Sequence, residues 1–352
     1  MARVPQTTTY RGRRAVAIDN DDLRVTVLVE GGHIAEVWDK RTEINPLWTP
    51  PWPSIEPSTY DPTVHGETYG RGADAKLLAG IMGHNLCLDI FGGPSDEEAA
   101  AGMTAHGDAS VIAYDMTVSA DRLAMRALLP LAQIRFERQI ELHERAVSVR
   151  EIIRSLCPFD RPIGWTQHVT LGPPFLEKGR TEFRASAARS LSFGSDFGVA
   201  DYLARGAVFE WPHAPRRDGG LADLRVFTRA QRSSAYTAHL MGTAGRAFFV
   251  AFSPASKLAF GYVWNTSDFP WMGIWEENCS RVAPPWNGAT LTRGMEFGVS
   301  PFPETRRAMV DRGRLFETPT CRWLPAHGTL EATYWIVAQT ATTIPESLEA
   351  PE

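Results

Sequence analysis

Residues 294–304 read GMEFGVSPFPE, a carboxylate set between two glycines in an apolar run that two prolines then close. Read as a strand, the run sends successive side chains to opposite faces, so Met295 and Phe297 share one face and Glu296 looks out of the other. Pro301 and Pro303 cannot donate ladder hydrogen bonds, which ends the strand near Val299. Apolar neighbours around a carboxyl group near a strand end favour its neutral form, a setting suited to a general base. The competing reading is a glutamate that simply meets solvent.

Outward from that stretch, period-two patterns recur. Ile134, Phe136, Ile140 and Leu142 precede a turn at His143–Arg145, and Val147, Val149 and Ile153 follow it, as expected of a hairpin. Residues 15–30 read as two strands about a turn at Asn20–Asp22, and Gly31-Gly32 leads to a further strand, HIAEVWDK. Further strands are expected at 163–175, 246–253, 258–264 and 331–338. The stretch 49–62, with Gly66, Gly70 and Gly72 beyond it, reads as a long irregular loop, and 77–93 as a strand-like apolar run. PSDEEAAAGM, 94–103, is a short helix capped by Ser95 with three acids in its first turn. No fixed-period repeat is present. The expectation is a single all-β domain over residues 1–352, a sandwich of large antiparallel sheets with few short helices.

Composition excludes several function classes. A net charge of −5, a pI near 6.0 and 36 basic residues without a basic run leave no electrostatic footprint for nucleic acid or an anionic membrane. No apolar run approaches a membrane span, and the N-terminus lacks the pattern of a signal peptide. Cys87, Cys157, Cys279 and Cys321 are far apart and form no C-x-x-C pair, so a reducing, cytoplasmic setting with free thiols is expected. No two histidines stand at H-x-H or H-x-x-x-H spacing, so no metal site is expected.

Two groups of residues carry candidate chemistry. His106 lies on a loop in AHGD and His168 within the strand WTQHVTLGPPF, where a satisfied packing histidine is the competing reading for each. His65, His84, His213 and His239 have similar claims singly. Eleven tryptophans are the second signal, with Trp264, Trp271, Trp275 and Trp286 clustered. Core packing accounts for part of that set. The remainder, beside Asp268, Glu276, Glu277 and Asn278, suits a sugar site, where flat rings meet the apolar faces of a pyranose and polar groups take its hydroxyls.

The order AHGD, WTQHVTLGPPF, GMEFGVSPFP, on an all-β chain that opens with an L-x-V-x-V, GG, T-x-x-NPLW meander, resembles the aldose 1-epimerase (galactose mutarotase-like) family across nearly the whole chain. The resemblance implies a β-supersandwich that interconverts sugar anomers without a cofactor. It assigns the strand histidine as general acid, here His168, the late-strand glutamate as general base, here Glu296, and the HG histidine, here His106, as a third catalytic group. Where the family carries an arginine in GR-x-x-NRI, this chain reads GIMGHNLCLDIF, which puts His84 or Asn85 near its place. The family's substrate-binding aspartate has Asp268, Glu276 or Glu210 as stand-ins, with Trp275 and Trp211 as further sugar contacts. The partner expected is a small sugar. The rival classes are a non-catalytic sugar-binding protein, a glycoside hydrolase pairing Glu296 with Glu276, and a lyase.

Overall fold

The computed structural model describes residues 7–242 and 245–351, and two antiparallel sheets of twelve and eight strands dominate them. In the larger sheet the strands His84–Asp89, Arg161–Leu171, Leu291–Gly298, Trp271–Asn278 and Ser233–Met241 are successive neighbours. In the smaller, Arg246–Ser253, Leu258–Asn265, Thr329–Thr340, Ala146–Ser155 and Ile134–His143 lie side by side. The hairpin expected about residues 143–145 is present, and its ten-residue first strand alternates buried and accessible positions. All-β sandwich architecture is therefore what the period-two patterns produce.

Met295 and Phe297 face the inter-sheet core, where Phe297 stacks on Trp264 at 4.2 Å between centroids and 12° between planes. Such a pair adds about 0.5–1.5 kcal/mol beyond the area it buries. The same core contains a charge network. Arg138 and Glu151 form an ion pair with Nε to Oε1 at 2.8 Å, and Glu151 also accepts from Trp165 Nε1 at 2.8 Å and Gln167 Nε2 at 2.7 Å. Glu151 belongs to the smaller sheet, whereas Trp165 and Gln167 belong to the larger, so this carboxylate ties the two layers together.

Three local expectations meet different outcomes. The helix at 94–103 forms over Asp96–Ala100 with Ser95 and Glu98 closing a reciprocal capping box. The stretch read as wholly irregular instead holds a helix at Pro62–Tyr69: Asp61 accepts from Thr63 N and Pro62 takes the first turn, where its missing N–H is no loss. The apolar run from 77 splits into the helix Ala75–Gly80 and the strand His84–Asp89, since a short apolar run fits either state. Among the described residues all four cysteines are free, and no helix is long and apolar enough to cross a membrane.

Candidate active site

Four neighbouring strands of the larger sheet bring the candidate residues into one row. Asn85 lies directly opposite His168, the register of Gln167 with Phe297 and Thr170 with Gly294 sets His168 beside Glu296, and Glu296 pairs with Gly273. Side chains in such a row project from the same face at adjacent-strand spacing and are obliged to touch. His168 Nε2 lies 2.9 Å from Glu296 Oε1, with 6% and 2% of the two side chains exposed. Glu296 thus meets an imidazole rather than solvent. Gly294 makes room for it: a Cβ there would stand 2.4 Å from Glu296 Oε1.

His106 arrives from a loop. Its backbone has φ +66°, followed by Gly107 at φ +81°, where a Cβ would lie 2.1 Å from Leu88 O. A left-handed histidine next to an obligatory glycine is strain held in place by its surroundings, here backbone hydrogen bonds from His106 N to Gly92 O and from Leu88 N to His106 O. The loop brings the His106 ring to 4.6 Å from that of His168, and His106 Nδ1 to 3.1 Å from Asn85 Oδ1. Burial, then the neighbouring His168 and His33, pushes His106 well below the usual histidine range, so its ring is neutral near pH 7. Burial chiefly, with the Glu296 charge second, pushes the Cys87 thiol well up, which makes it an inert packing group.

His106, His168 and Glu296 floor a cavity of about 190 Å³ whose walls are mostly apolar and aromatic, with Leu77, Ile81, Phe91, Tyr236, Trp275 and Trp286 among them. Trp286 stacks on Trp48 at 6.2 Å and meets Trp275 edge-on at 5.9 Å. Of the four clustered tryptophans, Trp275 and Trp286 line the cavity, while Trp264 and Trp271 are fully packed in the core. Two charged groups that the sequence did not single out join them, Asp74 and Arg281. The Arg281 guanidinium lies 4.7 Å from the Trp286 ring and 5.3 Å from that of Trp275, with Nε 3.4 Å from Glu277. Burial outweighs the attraction of Glu277, Asp74 and Glu296 and makes its proton less tightly held than usual. Arg281 sits in an irregular segment after a strand, where spacing gives no sign of direction; a cation within a tryptophan-rich loop was the available signal.

Several residues expected to contact substrate lie elsewhere. His84 neighbours Asn85 in a strand and so faces the opposite side, into the core, with Nε2 3.0 Å from Gln167 Oε1 and Nδ1 3.2 Å from Tyr262 OH. Glu276 is turned away from Trp275 for the same reason and pairs with Arg293 at 3.3 Å. Asp268 sits in a turn against Asn265 and Arg322, and Trp211 packs on His239 with ring centroids 5.4 Å apart. Glu210 likewise does not line the cavity. Asn85 is at the site, but buried beneath the two histidines. Among the described residues no group of three or more His, Cys, Asp or Glu side chains is arranged to hold a metal ion.

No family model and no curated protein sequence matches this chain. Solved structures do. A Klebsiella pneumoniae protein provisionally named an aldose 1-epimerase superimposes with a TM-score of 0.68 at 12% identity, over 97% of this chain and 83% of the other. A galactose mutarotase related enzyme from Lactobacillus acidophilus does so at 0.57 and 12% identity, over 94% and 99%. A galactose mutarotase-like protein from Clostridium acetobutylicum gives 0.59 at 10% identity, over 95% and 98%. At such identities the likeness is one of architecture. The chain has the galactose mutarotase-like fold.

Proposed function

We propose that the cavity holds one monosaccharide ring and interconverts its anomers by acid–base ring opening. The observation that carries this reading is the 2.9 Å contact of His168 Nε2 with Glu296 Oε1 on the cavity floor, a proton donor and a proton acceptor presented side by side to one small space. Drug-sized ligands occupy pockets of roughly 300–1,000 Å³, so a cavity of about 190 Å³ suits a smaller guest. Tryptophan faces and the Arg281–Asp74 donor and acceptor pair provide for the apolar and hydroxylated parts of a pyranose.

In this reading Glu296 takes the proton of the anomeric hydroxyl as the bond from C1 to the ring oxygen breaks. His168, carrying a proton on each ring nitrogen at that moment, gives its Nε2 proton to the departing ring oxygen. The electron pair of the O–H bond becomes the second bond of the aldehyde, and the broken pair stays on the ring oxygen. Rotation about C1–C2 and the reverse steps give the other anomer. His106 holds a neighbouring hydroxyl. The named activities of proteins sharing the fold support the reaction class. The hydrolase pairing of Glu296 with Glu276 loses its support, because Glu276 projects from the other face of its strand.

Polarimetry on freshly dissolved single anomers tests the proposal. Each positioned acid or base contributes about 10²- to 10⁴-fold, so Glu296→Gln is expected to slow enzymatic equilibration by that factor. Wild-type rates in Glu296→Gln, with sugar binding retained, would overturn it.

A further inference from the structure

We propose that Asn85 is a positioning residue whose side-chain amide couples the proton states of His106 and His168, leaving one Nδ1 proton between the two rings. The amide lies between them, with Oδ1 3.1 Å from His106 Nδ1 and Nδ2 3.3 Å from His168 Nδ1. An amide oxygen only accepts and an amide nitrogen only donates. In this orientation His106 therefore carries its proton on Nδ1, and His168 Nδ1 is bare. Glu296 favours the orientation: its carboxylate, 2.9 Å from His168 Nε2, accepts the Nε2 proton and so leaves Nδ1 of the neutral ring bare to accept from the amide NH₂. The Ser110 hydroxyl, which gives its hydrogen to Leu86 O at 2.5 Å, tolerates either orientation. The Thr170 hydroxyl, 3.0 Å from His168 Nδ1, serves either state, since it can donate or accept.

The consequence for the cavity is a division between the rings. His168 points an Nε2–H at Glu296, while His106, neutral and protonated on Nδ1, presents a bare Nε2. His106 then accepts a hydrogen bond from a sugar hydroxyl rather than offering one to the ring oxygen; this part of the inference rests on the proposed function. For His168 to become the acid it must take a second proton on Nδ1, which faces the amide NH₂. The amide then turns, giving Oδ1 to His168 and NH₂ to His106. His106 loses its Nδ1 proton to water and regains one on Nε2, staying neutral but changing from acceptor to donor. Charging one histidine thus switches the hydrogen-bond sense of the other. The titratable groups facing the pair are Glu296 beside His168, the buried His33, Cys87 against the amide, and Arg281, Asp74 and Tyr236 around the cavity, with His84 behind the sheet on the core side.

Long-range ¹H–¹⁵N spectra of histidine-labelled protein read ring tautomers directly, with the signals assigned through His106→Gln and His168→Gln. Above the histidine titration, wild type is expected to show His106 protonated on Nδ1 and His168 on Nε2. Asn85→Asp, which only accepts, is expected to place a proton on both Nδ1 atoms. Two rings of the same tautomer in wild type, or tautomers unchanged in Asn85→Asp, would overturn the proposal. Should Asn85→Asp not fold, the wild-type spectrum decides alone. The spectra need no sugar, so a failure of the anomerase reading leaves this result standing or falling independently.

Discussion

Replacing Gly294 by alanine puts the geometry proposed for catalysis under direct load. The new Cβ would stand 2.4 Å from Glu296 Oε1, 3.1 Å from its Cδ and 3.2 Å from Trp275 Cβ. Ordinary contact is reached near 3.5 Å, so the carboxylate must withdraw by about 1 Å. The least costly route is rotation of the Glu296 side chain, which gives up its 2.9 Å contact with His168. Overpacking costs about 1–3 kcal/mol, and removing glycine from a strand interior returns about 0.5–1 kcal/mol. The net stability loss is therefore about 0–2.5 kcal/mol. A 1 Å misplacement of a catalytic group costs about 10²-fold in rate, or about 2.7 kcal/mol of barrier. Anomer equilibration by polarimetry, with urea denaturation on the same sample, separates the two effects. A folded Gly294→Ala protein that equilibrates anomers at the wild-type rate would refute the claim that the Glu296 position matters.

Acid should unfold the protein through its buried histidines. Burial holds His33 and His239 at about 3 and His84 and His106 well below 6.5, so each is neutral when folded and protonates near pH 6.5 when unfolded. Their contribution is complete above that pH and is lost as pH falls; at pH 4.5 the loss is about 2.7 kcal/mol each for His33 and His239, with His84 and His106 acting in the same direction, against a typical total stability of about 5–15 kcal/mol. A urea midpoint that stays constant from pH 7.5 to 5 would contradict this. Glu151→Ala strands the Arg138 charge between the sheets and removes the acceptor of Trp165 and Gln167, for an expected loss of about 3–5 kcal/mol by denaturant titration. A loss under about 1 kcal/mol would show that Arg138 finds another partner. Arg281→Gln should raise KM about 10- to 100-fold, the worth of a hydrogen bond to a charged group, with kcat within a few-fold; a fall confined to kcat would move Arg281 from binding to chemistry.

The sandwich was legible because several strands of its smaller sheet, such as Ile134–His143 and Ala146–Ser155, keep one face towards solvent and so alternate in sequence. Strands carrying the site do not alternate: all six residues of His84–Asp89 and all eight of Trp271–Asn278 are buried, since loops cover the face that antiparallel sheets commonly expose. Without that signal, the facing of adjacent pairs such as His84 and Asn85, or Trp275 and Glu276, could not be chosen. Glu296 was easier, because Met295 and Phe297 on either side declare the core face. Arg281 and Asp74 escaped because loop residues converge through tertiary packing, which leaves no periodic trace.

Only the floor of the cavity is built from paired strands; Arg281, Trp286, Asp74 and the His106 loop stand on irregular segments above it. Chemistry and recognition are thereby separable. On the proposed function, segments around 74–81 and 279–290 can be exchanged to accept a different guest while the row from Asn85 to Gly273, locked by ladder hydrogen bonds from below, retains its geometry. If the proposed function holds, an engineer seeking a new sugar preference would graft rims and leave the foundation untouched.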